Sequence, residues 1–215
     1  MNFIFGSASG VGNDLYKIYR NENLDVYGFD KKDSEFTDKV IDLGVINNVD
    51  EIVNTIGDHK IDSITYCAGI QDSENISNLF NVNVLSFIEI IKNTNKNFDE
   101  TIVCGLSSVH SKASNESNIE YASSKSSLES AIRTFSTSAN NSYYYFLRLG
   151  ATDTNLLREN VKDVEKLKKS LPSGELFESR EVANLIFTIN TEHKKLFNGG
   201  HIQIDQGVLS RLATE

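Results

Sequence analysis

The chain has 215 residues, 39% of them apolar and 24% charged, which fits one folded domain with a sizeable core. Its 21 basic and 30 acidic residues give a formal net charge of −9, which argues against nucleic-acid partners and anionic membrane surfaces. No apolar run approaches the length of about 18 residues that a membrane span needs, and the apolar stretch at the N-terminus is too short for a signal peptide.

The two cysteines, Cys67 and Cys104, lie in separate apolar runs without a nearby pairing motif. We expect two reduced, buried thiols, as is usual for a cytoplasmic protein. The four histidines show no ligand spacing with these cysteines, so we expect no metal site.

Short β-rich runs alternate with longer segments of helical period. This alternation predicts an α/β fold, in which helices cover both faces of a parallel sheet. The predicted strands are residues 2–5, 25–29, 39–42, 63–67, 101–106, 143–149 and 201–205. The predicted helices are residues 14–21, 49–56, 78–92, 121–139, 160–169 and 180–189.

Residues 153–179 form the least regular segment and contain the only proline. We expect a surface excursion between the last two strands that serves as the substrate loop, since loops on α/β scaffolds often carry specificity. Its charged composition favours a polar substrate, such as a sugar or polyol, over a steroid or long acyl chain. Its lysines predict a solvated helical face, with attraction of an anionic substrate as the alternative; they are Lys162, Lys166, Lys168 and Lys169.

A glycine-rich segment follows the first strand directly and precedes a helix. It reads Gly6-Ser7-Ala8-Ser9-Gly10-Val11-Gly12. Glycines allow the backbone to turn sharply and approach a pyrophosphate, whose charge then lies at the helix N-terminus. The residues after Gly12 are not those of a Walker loop. A plain tight turn is the alternative that this segment alone leaves open.

Two carboxylates end the next two strands. Asp30 can accept hydrogen bonds from the adenosine ribose hydroxyls and would repel a 2′-phosphate, which favours NAD(H) over NADP(H). The adjacent Lys31 and Lys32 could lessen this repulsion. Asp42 either reaches the adenine edge or caps the start of the following loop.

Tyr121 and Lys125 form a Tyr-x-x-x-Lys pair, whose spacing places both on one helical face. A tyrosine titrates at about pH 10, and a nearby ammonium stabilises the phenolate and lowers that pKa. Such a tyrosine can exchange a proton with a carbonyl or alcohol oxygen. Ser108 follows the fifth strand at the carboxyl edge of the sheet, where α/β ligands bind. We interpret His110 as a solvent-facing loop residue, with contact to the substrate as the alternative.

Taken in chain order, these segments resemble the motifs of the short-chain dehydrogenase/reductase family. The resemblance extends over essentially the whole chain. The family's Thr-Gly-x-x-x-Gly-x-Gly motif corresponds to residues 5–12, and its last strand is similar to residues 200–207. Cys67-Ala68-Gly69 corresponds to the family's Asn-Ala-Gly motif, and Val82-Asn83 corresponds to its Val-Asn pair. Ser108 corresponds to the catalytic serine, and Tyr121 and Lys125 correspond to the catalytic tyrosine and lysine. The family's Pro-Gly-x-x-x-Thr segment corresponds to Leu149-Gly150-Ala151-Thr152-Asp153-Thr154.

The resemblance implies a three-layer Rossmann fold, a doubly wound parallel sheet of about seven strands, in a single NAD(P)-binding domain over residues 1–215. It implies Tyr121 as general acid/base, with Lys125 lowering its pKa and holding the nicotinamide ribose. It further implies that Ser108 binds the reacting oxygen and that Asn83 anchors a proton-relaying water chain. The implied cofactor-binding residues are Gly6, Ser9, Gly10, Val11, Gly12, Asp30, Asp42, Leu43, Cys67, Ala68, Gly69, Tyr121, Lys125, Gly150, Thr152 and Thr154, the last at the carboxamide.

Three residues depart from the family pattern. Phe5 replaces a threonine and Cys67 an asparagine, which removes hydrogen bonds that brace the cofactor loop, and Leu149 replaces a proline of fixed φ. These changes predict weaker cofactor binding and touch none of the four catalytic groups. The stretch between Gly69 and Asn83 is also shorter than is usual in the family.

We therefore expect a cytoplasmic NAD(H)-dependent oxidoreductase that interconverts a secondary alcohol and a ketone on a small, polar carbonyl or alcohol substrate. The resemblance also implies a homodimer or homotetramer formed through the helices that carry Asn83 and Tyr121. The alternative is a catalytically silent dinucleotide-binding sensor or scaffold. The intact set of four catalytic groups argues against it, and the three departures keep it open. A sugar-nucleotide epimerase or dehydratase is disfavoured, because 215 residues leave no room for a large C-terminal substrate region.

Overall fold

The runs of Ile, Val, Phe and Tyr form the strands of a parallel sheet that is buried on both faces. The structure is a computed structural model and describes residues 1–138 and 141–212. Its strands are β1 Asn2–Phe5, β2 Val26–Asp30, β3 Lys39–Val40, β4 Ile61–Tyr66, β5 Phe98–Ser108, β6 Ser142–Leu149, β7 Thr152–Asp153, β8 Phe177–Glu178 and β9 His201–Ile204.

The helices follow the segments in which apolar residues recur with helical period. They are α1 Gly10–Asn21, α2 Asn48–Ile56, α3 Ile76–Phe80, α4 Ser86–Thr94, α5 Ile119–Phe135, α6 Asn155–Asn160, α7 Val164–Ser170, α8 Ser179–Glu192 and α9 Val208–Leu212. One turn of π-helix, Asn81–Leu85, joins α3 to α4. None of the helices in the described residues is long and apolar enough to cross a membrane.

Seven strands form one parallel sheet in the order β3-β2-β1-β4-β5-β6-β9. One buried cluster packs α2, α4 and α5 on one face, and a second packs α1 and α8 on the other, which makes the three layers of a single doubly wound domain. The strand order reverses at β1 and β4, and ligands of such sheets bind in the crevice at that point, outside the carboxyl ends of the strands. The expected Rossmann fold is confirmed.

The predicted strands are all present in this sheet, with ends that lie within three residues of the predicted ones. The prediction missed β7 and β8, which pair with each other outside the main sheet, and it missed α9. The predicted helix 121–139 corresponds to α5, and its last residue, Ala139, lies outside the described residues.

The predicted helix 160–169 corresponds to α7, but its predicted start is wrong: α6 ends at Asn160, and α7 begins only at Val164. The Asp163 side chain accepts a hydrogen bond from the backbone N–H of Lys166 at 2.9 Å and so begins α7 anew. Residues 153–179 do form an excursion before the last strand, containing both short helices.

Candidate active site

The glycine-rich turn between β1 and α1 has a backbone that side chains would obstruct. Gly6 and Gly10 have φ angles of +90° and +55°. A Cβ at Gly12 would lie 2.0 Å from the carbonyl oxygen of Gly6, so only glycine lets α1 begin this close to the turn. In the described part of the chain, the Ser9 side chain makes no capping hydrogen bond and the first turn of α1 has no acidic residue. Its backbone N–H groups therefore fit an anionic ligand such as a pyrophosphate.

The Asp30 carboxylate is fixed beside this turn by two backbone N–H donors. Ala8 donates to one oxygen at 3.0 Å and Lys32 donates to the other at 2.9 Å. Each oxygen can accept one more hydrogen bond, as ribose hydroxyls require. Asp42 is exposed and accepts from the N–H of Gly44 at 2.7 Å, which is the contact expected of a residue that caps the start of a loop.

The departures at Phe5 and Cys67 leave the backbone links around the turn in place. Phe5 is fully buried, and its ring stacks on Phe29 with centroids 4.8 Å apart. Its carbonyl oxygen accepts hydrogen bonds from the N–H groups of Cys67 and Ala68, each at 2.8 Å. Cys67 and Cys104 are both free, with Cys104 buried and Cys67 half-buried. Aromatic packing thus occupies the place of the family's threonine.

Helix α5 places Tyr121 and Lys125 on one face. The Lys125 side chain is buried, and its Nζ lies 5.7 Å from the centroid of the Tyr121 ring. Burial lowers the pKa of Lys125 to about 8. Burial also raises the pKa of Tyr121 to about 12, and a hydrogen bond with Ser108 opposes that rise. The expectation that Lys125 brings the Tyr121 pKa down is therefore wrong in this structure, because the cost of burying a phenolate is the larger effect.

Ser108 ends β5, and its Oγ accepts a hydrogen bond from the N–H of His110 at 3.2 Å. This contact begins a short 3-10 helix, Val109–Ser111. The His110 ring is half-buried and meets the Tyr121 ring edge-on, with centroids 5.9 Å apart. Burial lowers the pKa of His110. The interpretation of His110 as a solvent-facing residue is wrong, because its ring lines the cavity beside Tyr121.

Asn83 lies in the π-helical turn and is fully buried. Its amide nitrogen donates to the carbonyl oxygen of Ile70 at 3.0 Å and to Ser124 Oγ at 2.9 Å, and its amide oxygen accepts from the N–H of Ile70 at 2.9 Å. Asn83 thus joins the segment after Gly69 to α5. It lies behind the cavity wall, whereas all the other predicted site residues line the cavity.

The segment after β6 brings Gly150, Thr152 and Thr154 to the same cavity. The N–H of Gly150 donates to the carbonyl oxygen of Ile204 at 2.7 Å, which ties the segment to β9. A Cβ at Gly10 would lie 3.1 Å from Cγ2 of Thr154, so Thr154 contacts the glycine-rich turn. The hydroxyl of Thr154 also accepts from the N–H of Leu157 at 3.3 Å and caps α6.

These residues surround one cavity of about 960 Å³ at the carboxyl edge of the sheet. Beyond the predicted cofactor residues, its wall contains apolar side chains that the sequence reading missed: Leu156, Leu157, Val161, Leu167, Leu171, Val208 and Leu209. The leucines of residues 153–179 are half-buried, whereas the lysines at 162, 166 and 169 are exposed. The four-residue spacing of Leu167 and Leu171 is that of one helical face and could have indicated this wall.

Comparisons with known proteins agree with this geometry. The sequence model of a family described as enoyl-(acyl carrier protein) reductase matches residues 15–209. The fold is similar to a short-chain dehydrogenase family protein from Francisella tularensis subsp. tularensis SCHU S4, with 20% identity over 97% of this chain and 98% of that chain and a TM-score of 0.89. The ligand-free aldohexose dehydrogenase of Thermoplasma acidophilum is 15% identical over 98% of this chain and 94% of that chain, with a TM-score of 0.88.

The 3-alpha-hydroxysteroid dehydrogenase of Pseudomonas sp. B-0831, complexed with NADH, is 18% identical over 100% of this chain and 98% of that chain, with a TM-score of 0.87. A comparison with curated proteins gives no match. Because the family match extends over most of a chain that has this sheet order and glycine-rich turn, the chain belongs to the short-chain dehydrogenase/reductase family of oxidoreductases.

Proposed function

We propose that the protein is a cytoplasmic, NAD(H)-dependent oxidoreductase that interconverts a secondary alcohol and a ketone, with Tyr121 as general acid/base. The observation that carries the proposal is the cavity itself. Ser108, Tyr121 and Lys125 line it together with the glycine-rich turn and Asp30. A dinucleotide held at the turn would therefore extend toward a tyrosine that can exchange a proton with the substrate.

The residues present fit a nicotinamide dinucleotide, which supplies the hydride acceptor or donor when it is bound. The N–H groups at the start of α1 would hold the pyrophosphate, and Asp30 the adenosine ribose. Lys125 would hold the nicotinamide ribose and Thr154 the carboxamide. The NADH complex of the hydroxysteroid dehydrogenase supports this class of cofactor. The preference for NAD(H) rests on Asp30, whose carboxylate would repel a 2′-phosphate.

In the proposed mechanism, the Tyr121 hydroxyl gives its proton to the carbonyl oxygen during reduction and takes it back during oxidation. The Ser108 hydroxyl donates a hydrogen bond to the same oxygen. The Lys125 ammonium lies beside the Tyr121 ring, and its pKa of about 8 suits a group that passes protons near neutral pH. Asn83 would anchor the relay of water molecules that restores the proton. Gly69 lies between them, since a Cβ there would be 3.0 Å from Lys125 Nζ and 3.6 Å from Asn83 Oδ1.

For the substrate, the cavity wall supports a ketone or alcohol on an apolar body, in place of the polar substrate that the charged composition of residues 153–179 suggests. Most charged residues of that segment are exposed, although Glu159 lies at the cavity wall, and the leucines of the segment line the cavity. His110, Gln71 and Asn115 add polar groups on another part of the wall. Such a cavity suits a molecule with a large apolar portion and a few polar groups.

We also propose a homodimer or homotetramer formed through the helices that carry Asn83 and Tyr121. Leu85, at the end of the π-helical turn, is 43% exposed, and Ile119, at the start of α5, is 56% exposed. Exposed apolar side chains on these helices are consistent with a surface that a second copy covers.

A turnover screen with matched variants tests the proposed activity. NADH oxidation is measured with ketones that carry an apolar ring or chain and with keto-sugars of similar size. We expect turnover of an apolar ketone, and Leu167→Asn lowers its kcat/KM by about ten-fold or more, because a polar group then lines the apolar wall. Val164→Asn is the control, since Val164 is half-buried on the same helix but is outside the cavity wall.

Three other outcomes of this screen would contradict parts of the proposal. Turnover of keto-sugars alone would contradict the apolar substrate. Equal effects of Leu167→Asn and Val164→Asn would mean that the leucine wall does not contact the substrate. NADH binding without turnover of any ketone would favour the catalytically silent sensor.

A further inference from the structure

Glu129 on α5 and Arg148 on β6 form a buried ion pair that takes no part in the proposed reaction. Their side chains are 1% and 4% exposed. Arg148 Nε donates to one carboxylate oxygen at 3.0 Å and Nη2 donates to the other at 2.8 Å, which is a two-point, fork-like contact. Arg133, also on α5, donates to the second carboxylate oxygen of Glu129 at 3.5 Å. Burial opposes ionisation of Glu129, but the hydrogen bonds from Arg148, Ser111 and Ser107 outweigh it and lower the pKa to about 2, so the pair is charged at neutral pH.

Two further bonds of Glu129 reach the chain segment that carries Ser108. Ser107 Oγ donates to Glu129 Oε1 at 2.7 Å and Ser111 Oγ donates to the same oxygen at 2.5 Å. Ser126, also on α5, donates to the carbonyl oxygen of Ser111 at 2.9 Å. Helix α5 therefore holds this segment on both sides of Ser108.

The arginine anchors the carboxylate to the sheet at the same level. Ser107, Arg148 and Gln203 are direct neighbours across β5, β6 and β9. Arg148 Nη1 donates to the Gln203 side chain at 3.3 Å, and that side chain donates to Asp205 at 3.0 Å. Asp205 accepts from the N–H of Leu209 on α9, whose side chain lines the cavity. The ion pair thus joins the Ser108 segment to the opposite part of the cavity wall.

Holding α5 on the sheet does not by itself require these charges. Two charges lose their hydration on burial, and apolar residues of similar size often stabilise a fold as well or better. Leu128 and Ile132 already pack α5 into the core. What apolar residues could not do is accept the hydrogen bonds of Ser107 and Ser111.

We propose that Glu129 and Arg148 are positioning residues, which fix the Ser108 segment relative to Tyr121. Tyr121, Lys125 and Glu129 follow one another at intervals of four on α5, and so lie on one face of the helix. The helix that carries the acid/base thereby also holds the serine that shares the reacting oxygen with it. The effect on turnover rests on the proposed function, whereas the effect on the order of the segment does not.

The test separates positioning from stability with a double variant, Glu129→Leu together with Arg148→Met. This variant replaces both charged side chains with apolar side chains of similar volume. Its Tm should therefore lie within about 5 °C of that of the parent protein. Amide hydrogen exchange at residues 107–112 should become about ten-fold faster or more. With a substrate from the screen, kcat should fall on the order of 100-fold, with KM for NADH within about two-fold. The control is Asp99→Asn, which neutralises an exposed carboxylate near the other end of β5.

Glu129→Gln is the second variant and keeps one oxygen acceptor, so it should show the same changes to a smaller degree. If a folded variant has the same amide exchange at residues 107–112 and the same kcat as the parent protein, the proposal is overturned. Altered kcat with unchanged exchange at residues 107–112 would also overturn it. If the variants exchange faster at residues 107–112 but the parent protein turns over no substrate, the positioning role of Glu129 and Arg148 is supported and the proposed activity is refuted.

Discussion

Lys125 Nζ donates a hydrogen bond to the backbone carbonyl oxygen of Leu106 at 2.9 Å, which holds the ammonium against the end of β5. The side chain is buried, and the loss of hydration lowers its pKa from 10.5 to about 8. The unfolded chain therefore binds this proton more tightly than the folded protein does. The charged lysine makes the fold less stable, and the cost is largest below about pH 8.

The first prediction is that Lys125→Met stabilises the protein while it abolishes turnover. The shift from 10.5 to about 8 corresponds to about 3 kcal/mol, and loss of the bond to Leu106 subtracts about 1 kcal/mol. At pH 7, urea unfolding should therefore show a free energy of unfolding about 2 kcal/mol larger than in the parent protein. The gain should shrink between about pH 8 and pH 10.5, where the parent lysine loses its proton. A variant that is less stable than the parent at pH 7 would contradict this account.

The second prediction concerns the cofactor. Because we propose that Asp30 binds the adenosine ribose, where its carboxylate would repel a 2′-phosphate, NADH should bind at least about ten-fold more tightly than NADPH. Asp30→Ala should narrow that ratio, measured by titration with each cofactor. Asp42→Ala is the matched control, since Asp42 is another carboxylate of the cavity wall, and it should leave the ratio unchanged. Equal affinities in the parent would point to Lys31 or Lys32 as the phosphate partner.

Much of the fold could be predicted from the sequence, because the deciding signals are local. Buried strands require runs of Ile, Val, Phe and Tyr, and a pyrophosphate turn requires the glycines of residues 6–12. The spacing of Tyr121 and Lys125 fixes their common helical face. For these features the residue types and their intervals are sufficient.

Other features depend on which elements meet in space. Residues 160–169 have a helical composition, but the cap at Asp163 makes α7 begin only at Val164. Glu129 stands four residues after Lys125, but nothing in the sequence shows that Arg148 lies opposite it. The pKa of Tyr121 depends on how deeply α5 is buried, which spacing alone does not reveal. Such properties arise from tertiary contacts.

The third prediction is that the protein is a dimer or tetramer at micromolar concentration, as measured by light scattering. Leu85→Glu should shift the mass toward that of the single chain, because a charge would then lie in the proposed interface. Leu196→Glu is the control, since Leu196 is another apolar side chain, 80% exposed, in the turn Lys194–Phe197 that follows α8. The mass of a single chain for the parent throughout this range would contradict the proposed assembly.

The fourth prediction separates the enzyme from the silent binder through one oxygen atom. Burial raises the pKa of Tyr121 to about 12, so the hydroxyl carries its proton at neutral pH and can act as the donor in ketone reduction. Tyr121→Phe keeps the ring and leaves the glycine-rich turn intact, so NADH affinity should change by less than about three-fold, whereas turnover should fall by about 100-fold or more. Tyr143→Phe removes the same atom from a half-buried tyrosine outside the cavity wall and should change neither quantity. Because the two variants differ only in where the oxygen is lost, unchanged turnover in Tyr121→Phe would assign the proton to another group, such as His110, whose ring meets that of Tyr121.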